Sequence, residues 1–299
     1  MQSIKVINGN KEENQYLYLI NDILLNGSLD EGRNGKVLSV FGKTMRFSLE
    51  NNTIPILTTK KVAWKTCLKE LLWFIKGQTN NKILQDQNVK IWNDNASREF
   101  LDSRNLQHLQ ENDLGPVYGH QWRHFNAPYK DCNTDYTGEG IDQLQYIIDN
   151  LKDKKNKFSR RLVMSTWNPC QIDEMALPPC HILVQFNVSY GNKLSCALYQ
   201  RSGDVGLGVP FNITSYAFLT HLIAKHCNLE PYEFIHNIGN AHIYKEHIEA
   251  MSKQRMREPT GFPKINIKNV YNNINDYKVE DFEIIDYIHN GPIQMKMIT

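Results

Sequence analysis

The sequence predicts an α+β protein. Segments with the helical spacing of apolar residues and segments with the two-residue alternation of strands do not follow each other regularly along the chain. Gly191 and Asn192 separate two alternating runs, which is typical of a β-hairpin and therefore of antiparallel pairing. A doubly wound parallel sheet would require strands and helices to alternate. These two observations favour the α+β class.

Four segments have the apolar spacing of helices. The first, residues 16–24, is followed by a stop signal at Asn26 and Gly27. The second, residues 68–75, places Glu70 beside its apolar stripe and precedes Gly77. Two further helices are predicted over 144–151 and from about 213 to 226.

Strands are predicted where apolar residues recur at every second position. Residues 37–49 are interpreted as a strand pair, and the alternation from Arg161 onward predicts the main part of a sheet. The remaining predicted strands are 162–164, 182–188, 194–198, 234–238, 265–267 and 282–287.

The composition is that of a globular protein without a strong overall charge. The 299 residues are 41% hydrophobic and 22% charged, and 34 basic against 32 acidic residues give a formal charge of +2. No overall field therefore draws the chain to nucleic acid or to an anionic membrane. The N-terminus lacks the apolar segment of a signal peptide, and no apolar run approaches the length of a membrane span. We expect a cytoplasmic protein.

The cysteine pattern predicts reduced thiols and no metal. The six cysteines are widely spaced and form no CxxC pair or other recognised zinc pattern. They are Cys67, Cys132, Cys170, Cys180, Cys196 and Cys227.

Cys180 is the cysteine whose local sequence suggests catalysis. Pro178 and Pro179 bring the chain to it in a stiff, extended conformation, although a cysteine is more often a small buried apolar residue. His181 is not automatically its base, because neighbours in an extended segment point to opposite faces. A thiolate here would therefore need nearby positive charge.

Three arginines are candidates for that charge. Arg160, Arg161 and Arg201 follow or precede predicted strands, and a convergent cluster would both bind a phosphate and favour a thiolate. From the local sequence alone, ordinary surface arginines are an equally good interpretation.

Eight motifs along the chain resemble the thymidylate synthase family in order and approximate spacing. The resemblance covers nearly the whole chain. The motifs are KELLWFIKG, IWNDN, GPVYGHQWR, RRLVMSTWNP, MALPPCH, LYQRSGD with LGVPFN, and GNAHIY.

The resemblance implies a fold and an activity. The fold would be a single catalytic domain over residues 1–299, with a large mixed or antiparallel sheet, flanking helices and one sheet face used for dimerisation. The activity would be that of a methyltransferase that converts dUMP to dTMP with 5,10-methylenetetrahydrofolate, which supplies the carbon and the hydride and leaves as dihydrofolate. No metal is implied.

The resemblance also implies catalytic roles. Cys180 would attack carbon 6 of the uracil ring, Glu70 would organise waters and relay protons, and Tyr118 would assist proton removal from carbon 5. Asp204 would lie near the pterin. Asn212 offers one acceptor and one amide donor, which complement the ring N–H and the adjacent carbonyl of uracil.

The remaining implied residues bind substrate. The phosphate ligands would be Arg33, Arg201 and Ser202, joined by Arg160 and Arg161 from the partner chain of a homodimer. The pyrimidine and deoxyribose ligands would be Gln200, Asn212, His242 and Tyr244. The folate pocket would comprise Trp92, Asp204, Leu207, Gly208 and Phe211, with Gly206 allowing close approach and Lys60 or Lys61 near the polyglutamate tail.

The sequence departs from the common family pattern in three places. EGRNGKV replaces a longer arginine-containing loop around Arg33, Asn95 replaces a second tryptophan, and the C-terminal GPIQMKMIT only loosely resembles the tail that folds over bound ligands.

Three alternatives remain open. A pyrimidine hydroxymethylase of the same superfamily would use the same nucleophile on dUMP or dCMP. A protein that retains the fold but works through RNA is the alternative from another class, and weak RNA contact could also accompany the enzyme activity. A cysteine protease would leave the arginines unexplained.

Overall fold

The computed structural model describes residues 10–32 and 35–298. The helices are α1 (Glu13–Asn26), α2 (Trp64–Ile75), α3 (Asn81–Gln85), α4 (Arg98–Ser103), α5 (Tyr118–Arg123), α6 (Gln143–Lys152), α7 (Gly208–His226) and α8 (Ile248–Gln254). The strands are β1 (Ser28–Gly32), β2 (Gly35–Ser48), β3 (Val163–Ser165), β4 (His181–Ser189), β5 (Lys193–Asp204), β6 (Glu230–Tyr244), β7 (Lys264–Ile267) and β8 (Phe282–Ile285).

Within the described residues, the main sheet has six strands in the order β1-β2-β6-β5-β4-β3. All neighbouring pairs are antiparallel except β5 and β6, which are parallel and are connected through α7. A parallel pair requires such a crossover, whereas the antiparallel β4 and β5 need only a tight turn. The predicted α+β class, with a mixed sheet and flanking helices, is confirmed.

The prediction of a strand pair within residues 37–49 was wrong. This segment belongs to the single strand β2, whose hairpin partner is the preceding β1. Gly42 has a φ of +74°, which only glycine adopts readily. Pairing with β6 nevertheless continues on both sides, from Phe41 with Asn240 to Lys43 with Ile238. Glycine often indicates a turn, but Gly42 instead accommodates a local distortion within one long strand.

The helix α7 forms the centre of the core. It packs on α2, β5 and β6, and nearly all of its side chains are buried. It begins at Gly208, earlier than the apolar spacing predicted, because the segment before Ile213 contributes to the cavity described below. Neither α7 nor any other helix in the described part of the chain is long and apolar enough to cross a membrane.

The burial pattern of β4 shows that the sheet has an inner and an outer face. Val184, Phe186 and Val188 are buried, whereas alternate side chains are exposed. Leu183 of β4 pairs with Tyr199 of β5, and each side chain is 40% exposed. The outer face therefore presents apolar groups to solvent.

A buried carboxylate connects α1 to the segment before α2. Glu13 accepts hydrogen bonds of 2.7–2.9 Å from the backbone N–H and hydroxyl groups of both Thr58 and Thr59. Burial raises the pKa of Glu13, and these donors oppose the rise by stabilising the ionised form. The glutamate thus satisfies four polar groups that would otherwise be buried without an acceptor.

We expect Glu13→Ala to lower the free energy of unfolding by about 3–5 kcal/mol, because four buried donors lose their acceptor. Chemical denaturation measures this change. Glu13→Gln, which keeps one acceptor oxygen, should have an intermediate effect. Leu25→Ala on the same helix is the control, because Leu25 is exposed and should contribute little. Equal stability of the wild type and Glu13→Ala would contradict this account.

Candidate active site

A cavity of about 1000 Å³ opens between the ends of β4, β5 and β6, the helices α2, α5 and α7, and the C-terminal tail. It brings together residues that are far apart in the sequence. Fourteen of the predicted site residues line it: Glu70, Trp92, Tyr118, Cys180, Gln200, Arg201, Ser202, Asp204, Leu207, Gly208, Phe211, Asn212, His242 and Tyr244.

The segment carrying Cys180 is positioned by hydrogen bonds to its backbone. The Cys180 N–H donates to the Tyr118 hydroxyl oxygen at 2.7 Å, and the Cys180 carbonyl accepts from the Arg201 N–H at 2.9 Å. The guanidinium of Arg201 donates to the carbonyls of Pro179 at 2.8 Å and Pro178 at 3.0 Å. A fixed cation therefore lies beside the loop that carries the thiol. Such a charge favours the thiolate, which is the nucleophilic form of cysteine.

Glu70 has the electrostatics of an acid–base group. Burial raises its pKa to about 7, and a hydrogen bond of 2.8 Å from the Trp92 Nε1–H opposes the rise. A carboxyl group with a pKa near neutrality can both donate and accept a proton under ordinary conditions. The position of Glu70 on α2 was predicted, but its pKa depends on the surrounding fold.

Tyr118 forms part of an aromatic wall. Its ring lies 4.8 Å from that of Phe74 and 6.0 Å from that of Trp92, measured between ring centroids. Burial raises the pKa of Tyr118 well above its usual value, so the phenol stays protonated near neutral pH. The hydroxyl can therefore act as a hydrogen-bonding group next to Cys180.

His181 lines the same cavity as Cys180, which the expectation of diverging neighbours did not foresee. The pairing of β4 with β5 is irregular between His181 and Leu183, so the simple alternation of a strand does not hold there. Burial lowers the pKa of His181 to about 4, opposed by Asn212. The ring is neutral near pH 7 and is not a charged activator of the thiol.

Two carboxamides, Gln200 and Asn212, lie together at one end of the cavity. The Gln200 Nε2 donates to the Asn212 Oδ1 and to the backbone carbonyl of Ser202, both at 2.9 Å. Gln200 is almost fully buried, whereas Asn212 is partly exposed to the cavity. The contact gives the Asn212 amide a defined orientation.

Polar groups from β5 and β6 line another part of the cavity. Asp204 accepts a hydrogen bond from the Gly206 N–H at 2.8 Å. The His242 Nδ1 lies 3.0 Å from the Asn240 Oδ1, and the His242 ring meets that of Tyr244 edge to face. Burial lowers the pKa of His242, so a neutral ring is available for hydrogen bonding.

The C-terminal tail also borders the cavity. Met295, Met297 and Ile298 line it, and the backbone carbonyl of Lys296 accepts from the His247 Nε2 at 2.7 Å. None of these side chains was predicted to be a site residue. The alternation of Ile293, Met295 and Met297 with Gln294 and Lys296 is a signal that could have indicated one covered side of the tail.

Further lining residues were also missed by the sequence analysis. Asn240 and Arg104 reach the cavity from β6 and from the end of α4. No local pattern distinguishes Arg104 from a surface arginine, whereas Asn240 could have been noticed within the GNAHIY motif.

Some predicted residues lie elsewhere. Arg33 is outside the described residues. Arg160 and Arg161 are exposed in the turn before β3 and do not line the cavity of their own chain. Lys60 is buried and donates to the Gly206 carbonyl, and burial lowers its pKa to about 8. Lys61 is exposed.

Comparisons with known proteins show the family of the chain. The sequence model of the thymidylate synthase family matches residues 14–299. Thymidylate synthase from Saccharomyces cerevisiae is 52% identical over 298 residues, which cover 96% of this chain and 97% of the yeast protein. The thymidylate synthase of Homo sapiens is 53% identical over 286 residues, which cover 95% of this chain and 90% of the human protein.

Some relatives are longer. The bifunctional dihydrofolate reductase-thymidylate synthase of Paramecium tetraurelia is 53% identical over 287 residues, which cover 96% of this chain but 61% of that protein. With the family model matching nearly all of the sequence and half of the residues identical to named relatives, the chain belongs to the thymidylate synthase family.

Proposed function

We propose that this chain is a methyltransferase that converts dUMP to dTMP with 5,10-methylenetetrahydrofolate. The observation that carries the proposal is the convergence of Cys180, Arg201, Glu70 and Asn212 on one cavity. The names of the relatives support the same activity. The convergence matters because a nucleophile, a phosphate-type cation, an acid–base group and a base-reading amide are the groups this reaction needs.

Cys180 would begin the reaction as a thiolate. Its sulfur forms a bond to carbon 6 of the uracil ring, and the ring electrons move toward carbon 5 and the carbonyl at carbon 4. Carbon 5 then becomes nucleophilic. Covalent catalysis of this kind divides one difficult step into two easier ones. The sulfur leaves again when the methylated product forms, so the enzyme is regenerated.

Glu70 and Tyr118 would manage the protons. The near-neutral pKa of Glu70 suits a group that gives and takes protons through nearby waters. The Tyr118 hydroxyl contacts the Cys180 backbone. This contact supports a role in which the hydroxyl would lie beside the bound ring and assist removal of the proton from carbon 5.

The apolar side of the cavity suits a flat, partly polar ring. Trp92, Leu207 and Phe211 provide apolar surface, Gly208 leaves room beside it, and Asp204 offers a carboxylate to ring N–H groups. When bound, the folate supplies the one-carbon unit and the hydride. The tail around Met295 would exclude water from this end.

We propose that the phosphate site is completed by a second copy of the chain. Arg201 and Ser202 line the cavity, whereas Arg160 and Arg161 are exposed and do not line the cavity of their own chain. Arg33, which lies outside the described residues, would be a further ligand. The partner's copies of these two arginines would reach the phosphate, and His242 and Tyr244 would bind the deoxyribose hydroxyl.

The outer face of the sheet is the proposed dimer interface. The paired Leu183 of β4 and Tyr199 of β5 lie on this face, and each is 40% exposed. Apolar side chains on an uncovered sheet face are typical of a surface that another subunit covers. In this proposal residues 1–299 act as a single catalytic domain, and two such domains share their sites.

The proposed reaction predicts that incubation with dUMP and 5,10-methylenetetrahydrofolate produces dihydrofolate and dTMP in equal amounts. Dihydrofolate absorbance and nucleotide chromatography measure the two products. Formation of 5-hydroxymethyl-dUMP without dihydrofolate would instead identify a hydroxymethylase.

Cys180→Ala should abolish turnover while dUMP binding is largely retained, because the phosphate contacts are separate from the sulfur. The matched control is Cys170→Ala, which removes an exposed thiol outside the cavity and should leave the rate unchanged. Activity of the Cys180 variant within about tenfold of wild type would contradict a covalent role, since loss of a nucleophile costs far more.

The pH profile should contain an apparent pKa near 7 from Glu70. Trp92→Phe removes a hydrogen bond that stabilises the carboxylate, so this apparent pKa should rise. A hydrogen bond to a charged group contributes roughly 1.5–3 kcal/mol, which corresponds to about one to two pH units. Kinetic measurements on Trp92→Phe and Glu70→Gln across pH test this prediction. The transition should move to higher pH in Trp92→Phe and disappear in Glu70→Gln. A transition unchanged in both variants would exclude Glu70 as its source.

Hybrid dimers test the shared site. Neither Arg161→Glu nor Cys180→Ala alone should be active, but a dimer of one chain of each has one intact site. Random mixing makes half of the dimers hybrid, so roughly a quarter of wild-type activity should return in a two-fold dimer. Activity should return only after the two variant proteins are unfolded and refolded together, because this step exchanges their subunits. Absence of recovery would show that Arg161 does not serve the partner's site.

A further inference from the structure

His236 is a fully buried histidine behind the end of the cavity that is formed by Gln200 and Asn212. It lies on β6, opposite Leu198 of β5 and Met45 of β2, and its ring lies 5.5 Å from that of Phe234. It is not among the described residues that line the cavity. Its contact with Gln200, which does line the cavity, nevertheless connects His236 to the site.

The orientation of the Gln200 amide follows from a backbone carbonyl. The Ser202 carbonyl can only accept a hydrogen bond, so the atom of Gln200 that lies 2.9 Å from it must be the nitrogen. The Gln200 Oε1 consequently faces the His236 Nε2, at 2.7 Å. An oxygen at this distance requires a proton on that nitrogen.

The His236 ring can supply this proton in one tautomer. Burial lowers the pKa of His236 to about 3, so the ring is neutral and carries a single N–H. With that hydrogen on Nε2, Nδ1 carries only a lone pair. The Nδ1 is buried and has no hydrogen-bond partner among the described residues, which agrees with an unprotonated nitrogen.

The second N–H of Gln200 then determines how Asn212 is turned. It donates to the Asn212 Oδ1 at 2.9 Å, which leaves the Asn212 Nδ2 as the donor that can face the cavity. A donor there matches the carbonyl at carbon 4 of uracil, and the second lone pair of Oδ1 can accept the ring N–H. Cytosine has an amino group and an unprotonated nitrogen at these two positions, so both contacts would be mismatched.

We infer that His236 is a positioning residue that makes the site selective for uracil over cytosine nucleotides, acting through Gln200 and Asn212. This inference rests on the proposed function. Without the His236 N–H, the Gln200 oxygen would be buried without a donor. The observed orientation of both amides would then be held by the Ser202 carbonyl alone, so its advantage over the flipped one would be smaller.

Equilibrium binding of dUMP and dCMP tests the inference. The wild-type protein should bind dUMP more tightly than dCMP. His236→Phe keeps a ring of similar size but removes the N–H. It should reduce the ratio of dUMP affinity to dCMP affinity by about tenfold or more, as expected for a bidentate base contact. His236→Gln restores an N–H near the position of Nε2 and should recover most of the ratio.

His221→Phe is the matched control. His221 is also buried with a pKa lowered to about 4, and its Nε2 lies 2.9 Å from the Thr53 carbonyl, away from the cavity. Its replacement removes an equivalent hydrogen bond and should leave the affinity ratio unchanged. Equal loss of the ratio in both variants would overturn the specific role of His236.

The wild-type protein offers a second measurement that does not depend on a variant folding. Nitrogen-15 NMR of labelled histidine should show His236 as the Nε2–H tautomer throughout the neutral pH range. An Nδ1–H tautomer, or a dUMP preference that His236→Phe leaves intact, would overturn the inference alone. Equal wild-type affinity for dUMP and dCMP would overturn the proposed uracil site itself.

Discussion

The contact of the Arg201 guanidinium with the carbonyls of Pro178 and Pro179 is the constraint on which the rest of the site depends. These two prolines cannot donate backbone hydrogen bonds, but their carbonyls accept strongly from a cation. The contact joins β5 to the loop before β4 and places positive charge next to Cys180. A single arginine therefore both fixes the nucleophile loop and faces the proposed phosphate site.

Burial gives the surrounding groups their chemical character. Desolvation raises the pKa of Glu70 to about 7 and lowers those of His181 and His236 to about 4 and about 3. The carboxyl group is thereby poised to exchange protons, while both histidines stay neutral and act as directional hydrogen-bonding groups. Desolvation in one region of the fold thus lets the carboxyl group exchange protons near neutral pH and keeps the two histidines uncharged.

The inner face of the sheet carries residues of the candidate site, and its outer face is the proposed dimer interface. The parallel pairing of β5 and β6 around α7 brings Asn212 at the start of the helix next to Gln200 on the strand. The opposite face exposes Leu183 and Tyr199, and the exposed Arg160 leads into β3 at the sheet edge. A proposed site shared between two copies would explain why conspicuous arginines lie outside the cavity of their own chain.

The sequence by itself determined the α+β class, the hairpin after β4 and the nucleophile candidate, because periodicity, turn residues and the Pro178 and Pro179 pair act over a few neighbouring positions. The recognised motifs extended this to most of the residues that line the cavity. Only the tertiary structure decided that β2 is one strand, that His181 faces the cavity, and how buried Glu70 is. These properties depend on pairing and desolvation between segments far apart in the chain, which no local pattern encodes.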